Sequence, residues 1–365
     1  MKKKFICLLL AVAIMALSTQ TYAYAATSQE VPCYIASLDC PEDYIEYAVE
    51  NVSRFILPLS TELDIQQVSV GTPFAFADSE VDVFYFPILY NGHIQYLFRV
   101  YPSGDSFSGT ISKFLANDID NLAGFTSEEN PMYLNRIGLK IIATIGSISY
   151  ELYEYPDDAT TNENITTPTF FDGFPVKNIK STIDIDLNLN QTRNWYAFID
   201  IIEQQKGNRR CASYCLAAIV RKLTNYKNET SYYIINYAYN YPAHISSNDY
   251  LPWNDATING KNVKGIRSVA QHYGLNPTVL NRPAENSKLL NNIAQGRPCI
   301  LRMMSASGGV DHAVVLCGCS TSGLWHIWNP WFDYYESFPA NGSYVPTGYN
   351  AATHTLTHRM SAYNF

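Results

Sequence analysis

The rhythm of hydrophobic and polar positions changes near the middle of this chain. In the first half, "VDVFYFPILYNGHIQYLFRVY" (residues 81–101) carries two apolar-rich, partly alternating runs around Asn91-Gly92. That dipeptide suits a two-residue turn requiring positive φ, so the stretch predicts a β-hairpin. "KIIATIGSISYELYEY" (140–155) repeats the pattern around Gly146-Ser147, and "TISKFLANDIDNL" (110–122) between them has helical spacing. A β-rich mixed sheet with at least one helix follows, with no nucleophile or ligand cluster in it. "PDDATTNENITTPTFFDGFP" (156–175) then breaks the pattern. Its Thr, Pro and Asn content predicts an exposed linker, where proteolytic cuts concentrate.

Beyond it the periodicity turns helical. "CASYCLAAIVRKL" (211–223), "IRSVAQHYGL" (266–275) and "KLLNNIAQG" (288–296) predict three helices, the last ending at a glycine. "CILRMM" (299–304), "HAVVLCG" (312–318) and "LWHIWNPW" (324–331) predict strands. Helices followed by strands indicate an α+β fold. No internal repeat and no glycine-rich phosphate loop is present.

The start of the chain reads as an export leader, residues 1–25. Lys2, Lys3 and Lys4 precede an apolar run from Phe5 to Ala16, and Ala23-Tyr24-Ala25 has the small-x-small form of a cleavage site. About 12 apolar residues are too few to span a bilayer. The expected product is secreted and soluble, with no membrane association after leader removal. Its length suggests two domains, 26–155 and 191–365, joined by a linker over 156–190. Charge divides them: residues 26–190 carry 7 Lys and Arg against 24 Asp and Glu, and residues 191–365 carry 15 against 9. An acidic half and a basic half can dock by electrostatic attraction. Seven cysteines follow the leader. An odd number in a secreted chain leaves at least one thiol unpaired or reactive. Cys33 and Cys40 could close a local loop; pairings among Cys215, Cys299, Cys317 and Cys319 are left open.

The chemistry centres on "NRRCASYC" (208–215). With Asn208 as the N-cap, Cys211 stands near a helix start, where the helix dipole and Arg209 and Arg210 favour thiolate over thiol. Cys215 is one turn further on the same face; a disulfide across that spacing is geometrically awkward, and no compact Cys/His group completes a metal site. Cys215 therefore reads as a buried apolar residue and Cys211 as a nucleophile. A nucleophilic thiol needs a base, and the base an orienter. His312 opens one predicted strand and Asn329 closes the next. As a hairpin centred at 320.5 the two strands would place these residues opposite each other. Asn329 would then accept the ring N–H of His312, leaving the other nitrogen for Cys211, with Trp331 shielding the bond from water. Gln205, with Gln204 as its adjacent competitor, could donate to an oxyanion together with the Cys211 backbone N–H. His244, His272, His326, His354 and His358 read as structural.

"Q-x5-C" at Gln205–Cys211, "VDHAVVLCG" at 310–318 and "NPW" at 329–331 together resemble the papain-like cysteine proteases, nearest to their secreted bacterial staphopain-like branch. The first half resembles that branch's pro-region in "GTPFAF" (71–76) and in its hairpin-then-helix order. The resemblance implies a papain-like catalytic domain, protein or peptide substrates, and a zymogen whose acidic pro-domain occludes the cleft until the linker is cut. It implies catalytic roles for Cys211, His312, Asn329 and Gln205. A monomer is expected, with no metal, organic cofactor or nucleic-acid partner. Arg210 stands where that branch often has an aromatic residue, and Ala212 replaces the tryptophan that follows the papain-type cysteine. "CxxxCLA" with "HAVVL" also resembles peptidases that trim double-glycine leaders, which act inside the cell. A peptidoglycan amidase or other acyl-transfer enzyme, and a catalytically dead binding scaffold, are the competing readings.

Overall fold

The computed structural model describes residues 31–57, 59, 63–76, 83–103, 105–137, 140–154, 173–185, 187, 194–205, 208–240, 246, 248–305, 311–321, 323–340, 344–345 and 355–365. The expected leader, most of the expected linker, His244 and His354 lie outside the described residues. The fold is mixed α+β, as expected. Among the described residues no helix is long and apolar enough to cross a membrane.

The first half runs β1 (Tyr34–Ala36), α1 (Glu42–Ile56), β2 (Val68–Gly71), β3 (Phe84–Tyr90), β4 (His93–Ser103), β5 (Ser106–Ser112), α2 (Ala116–Leu122), β6 (Met132–Ile137), β7 (Lys140–Ile145), β8 (Ile148–Glu154), β9 (Val176–Asn178) and β10 (Thr182–Ile183). Both hairpins form at the expected turns. Tyr90 pairs with His93 around Asn91 and Gly92, whose φ values of 52° and 75° fit the primed turn. Ile145 pairs with Ile148 around Gly146. The helix expected over 110–122 begins only at Ala116, because Thr110, Ile111 and Ser112 pair with β4.

The second half runs β11 (Asn194–Tyr196), α3 (Cys211–Leu223), α4 (Ser231–Tyr239), β12 (Ala256–Ile258), β13 (Lys261–Val263), α5 (Ile266–His272), β14 (Thr278–Leu280), α6 (Asn286–Ala294), β15 (Cys299–Ser305), β16 (Asp311–Ser320), β17 (Leu324–Trp328), β18 (Tyr335–Pro339) and β19 (Leu356–Tyr363). Strands β8-β7-β6-β1-β9 form one sheet. The larger sheet has the order β10-β2-β3-β4-β5-β18-β17-β16-β15-β19-β14, with β11 on β16.

Two features correct the expected domain plan. The segment 156–190 is not linker throughout, since β9 pairs with β1 and β10 with β2. Residues 176–178 and 182–183 thereby add edge strands to sheets that contain strands of the first half. The two halves also share one sheet: β5 pairs with β18 through Ser112–Glu336 and Ile111–Ser337. A single apolar cluster crosses that junction, joining Tyr85, Phe114 and Leu115 to Trp331, Phe332 and Phe338. The other face of the sheet is covered by α3, α4 and α5, where Cys215, Ile219, Ile234 and Val269 pack with Ala313, Val315, Cys317 and Trp328. Cys33 and Cys40 are not bridged, and no disulfide joins the seven cysteines from Cys33 to Cys319.

Candidate active site

Helix α3 begins at Cys211 and carries a nearly unbroken apolar run, so most of its circumference is buried. Asn208 is not its N-cap. That position belongs to Arg210, and Asn208 Oδ1 instead accepts the Arg210 backbone N–H at 3.1 Å, shaping the approach to the helix. Cys211 is partly buried at the first helical position, where backbone N–H groups lack intrahelical partners. Cys215 is fully buried, and burial pushes its thiol well above the usual range. It is the inert packing residue its spacing suggested.

The loop before α3 is clamped from below. Arg221, 1% exposed, donates to Glu203 Oε1 at 3.0 Å and to the Asp200 carbonyl at 3.2 Å. Two residues on, the Gln205 backbone N–H donates to the Pro330 carbonyl at 2.8 Å. The Gln205 side chain is fully buried and donates through Nε2 to the Asn208 carbonyl. Gln204 Nε2 instead donates to the Trp331 carbonyl. The loop leading to Cys211 is thus stitched to residues 330–331, and Gln205 is the buried member of the glutamine pair.

His312 and Asn329 meet directly, with His312 Nε2 2.7 Å from Asn329 Oδ1. An amide oxygen only accepts, so the imidazole carries its proton on Nε2 and presents Nδ1 as a lone pair. The contact does not arise from the register expected. Val315 pairs with Trp328 and Gly318 with His326, with an irregularity between Leu316 and Gly318. Continuing that ladder would set residue 314, not 312, opposite 329. Strand β17 ends at Trp328, and Asn329 is free to swing across in the following turn. Trp331 stacks on the imidazole at a centroid distance of 3.9 Å and is 2% exposed, so it covers the His312–Asn329 bond as expected. Its backbone N–H also donates to Asn329 Oδ1, at 3.0 Å.

Burial pushes the His312 imidazole down to about 4, against the upward pull of the Asn329 hydrogen bond and the Asp311 carboxylate. Along β16, Ala313, Val315 and Cys317 face the helices, whereas His312, two residues from Val314 and four from Leu316, turns to Trp331. Cys211 lies on the helical side, within electrostatic reach of Arg302. Arg302 holds Asp311 in a two-pronged ion pair and pairs across the ladder with Ala313, the neighbour of His312. Arg302 thus links the two sides: Cys211 is within its electrostatic reach on the helix layer, and its ladder partner Ala313 is the neighbour of His312 on β16.

His326 donates or accepts at Ser337 Oγ over 2.6 Å, His358 contacts Ser361 Oγ at 2.8 Å, and His272 stacks on Tyr237. These three are structural. Sequence reasoning missed the groups beneath Asn329: Tyr344, Glu336 and Arg99, all fully buried. The only signal was a glutamate inside an otherwise uncharged strand, "YESFP".

A comparison with protein-family models gives no match to this chain. None of the curated proteins compared is similar enough to align with it.

Proposed function

We propose that the chain is the precursor of a secreted cysteine endopeptidase with a papain-like catalytic domain in its second half. The buried His312–Asn329 pair under Trp331 carries this reading: it fixes one imidazole tautomer and leaves Nδ1 available as a base. Cys211 Sγ, deprotonated by His312, attacks the scissile carbonyl carbon, and the carbonyl electron pair moves to oxygen. The Cys211 backbone N–H and the Gln205 amide stabilise that oxyanion. The intermediate collapses to a thioester as His312 returns its proton to the leaving amine. His312 then takes a proton from water, the hydroxide attacks the thioester, and the carboxylate product leaves with the thiol restored.

In the intact chain His312 is 1% exposed and held neutral by burial. An imidazolium–thiolate pair is disfavoured there, which fits a latent precursor. The first half supports this state from behind: Tyr153 donates to the Trp331 carbonyl at 2.7 Å, and Phe114 packs on Phe332. Cleavage within the polar segment 156–175 followed by release of the first half would let water reach His312 and raise its basicity.

The test is proteolysis of a protein substrate by the cleaved chain freed of its first half, with Cys211→Ala as control. Activity lost in Cys211→Ala supports the reading. Peptide-bond cleavage that survives Cys211→Ala, or turnover of wall amides alone, contradicts it.

A further inference from the structure

Beneath Asn329 lies a buried chain of polar groups that the peptidase reading does not use. Asn329 Nδ2 donates to the Tyr344 hydroxyl oxygen at 2.8 Å. The Tyr344 hydroxyl donates to Glu336 Oε2. Arg99 Nη2 lies 3.6 Å from Glu336 Oε1 and donates to the Val345 carbonyl at 2.8 Å. Arg99, Glu336, Tyr344 and Asn329 are all 0% exposed. Arg99 belongs to β4 of the first half, and Glu336 to β18, at the point where the two halves share backbone pairing.

The directions along this chain follow from its ends. A neutral amide can be turned end for end, and a phenol can donate or accept. An ionised carboxylate only accepts. It therefore accepts a hydrogen bond from the Tyr344 hydroxyl, and Tyr344 must accept from Asn329 Nδ2. Asn329 Oδ1 is then the atom left for His312, and the Trp331 N–H, which also needs an acceptor, agrees. A buried carboxylate stays ionised only with a compensating charge, and Arg99 stands beside it. Burial and the adjacent Glu336 push the Tyr344 phenol upward, so it remains a donor.

We infer that Glu336 and Tyr344 are positioning residues that set the tautomer of His312 through Asn329, and that Arg99 of the first half is the counter-ion maintaining this relay. The consequence for catalysis rests on the proposed peptidase function; the relay itself does not. With Glu336 neutral, residue 336 can donate to the Tyr344 oxygen. Tyr344 then donates toward Asn329 and favours the reversed amide. The reversed amide turns its NH2 on His312 and favours the tautomer protonated on Nδ1, which cannot act as the base toward Cys211.

The experiment is nitrogen-15 NMR of the full-length chain with labelled histidine, the His312 ring signals being assigned by their loss in His312→Gln. At neutral pH the wild type is expected to show a single Nε2–H tautomer. Glu336→Gln and Arg99→Met are expected to populate the Nδ1–H tautomer, Arg99→Lys to restore the wild-type signals, and Tyr344→Phe to broaden or split them. Tyr344→Phe removes one oxygen atom and keeps the test decidable where a charge deletion does not fold. His312 nitrogen shifts identical to wild type in Tyr344→Phe and in every folded charge variant would overturn the relay. Altered shifts in a chain without peptidase activity would leave the relay standing and remove the proposed function. Peptidase activity with unaltered shifts would do the reverse.

Discussion

Asn329 accepts two hydrogen bonds on one oxygen and donates from its nitrogen, while fully buried. Replacing it by alanine leaves the His312 ring, the Trp331 N–H and the Tyr344 hydroxyl short of a partner each. If the proposed peptidase reading holds, Asn329→Ala is expected to lower kcat/KM of the chain freed of its first half about a hundredfold, the scale of a general acid–base contribution. Steady-state kinetics against a peptide substrate check this. Acid stability gives a second expectation. His312, His326 and His358 are each pushed by burial from an ordinary 6.5 down to about 4. Their folded-state values are lowered, so the unfolded chain binds protons first. The stability is full above about pH 6.5 and is lost as pH falls toward 4. For His312 alone the loss is on the order of 3 kcal/mol. Urea unfolding at stepped pH should show the midpoint falling through that window, and His326→Asn or His358→Asn should flatten the slope.

At the scale of elements, α3 and the two hairpins were legible because each is written locally. The apolar run of 211–223 and the Asn91-Gly92 turn need no distant partner to be read. The His312–Asn329 meeting was legible for a reason only partly right. Equal distance from a turn gave the correct pair, but the ladder shifts at Leu316–Gly318, and the contact is made by a residue just past the strand end. Gly318 sits at that shift and is closely packed there. A Cβ at Gly318 would come within 2.7 Å of Tyr196 Cδ1 and 3.0 Å of His326. Gly318→Val is therefore expected to displace β11 from β16 and cost about 1–3 kcal/mol, as overpacking does. A fall in thermal midpoint with the His312 signals perturbed would agree; an unchanged midpoint would not.

For the whole molecule the sequence suggested two bodies and a linker, and the structure joins them through a shared sheet and core. Pairing of 111 with 337 leaves no local periodicity, so it could not be read from the chain. The same holds for Arg99 and Glu336, whose charges look like ordinary surface residues until both are found buried. One expectation follows for activation. A chain nicked within the polar segment 156–175 should run as two pieces in denaturing gels yet elute from gel filtration as one species, held by the β5–β18 junction and the apolar cluster across it. Two separate native peaks would contradict this. The proposed peptidase chemistry, however, depends on the thiol of Cys211 being activated by His312. The most direct measurement is the rate of Cys211 alkylation by iodoacetamide at mildly acid pH, in the chain freed of its first half, with and without His312→Ala. Fast modification of Cys211 that slows to the rate of an ordinary thiol in His312→Ala is the expected result. Modification of Cys211 at the same slow rate in both proteins would contradict it.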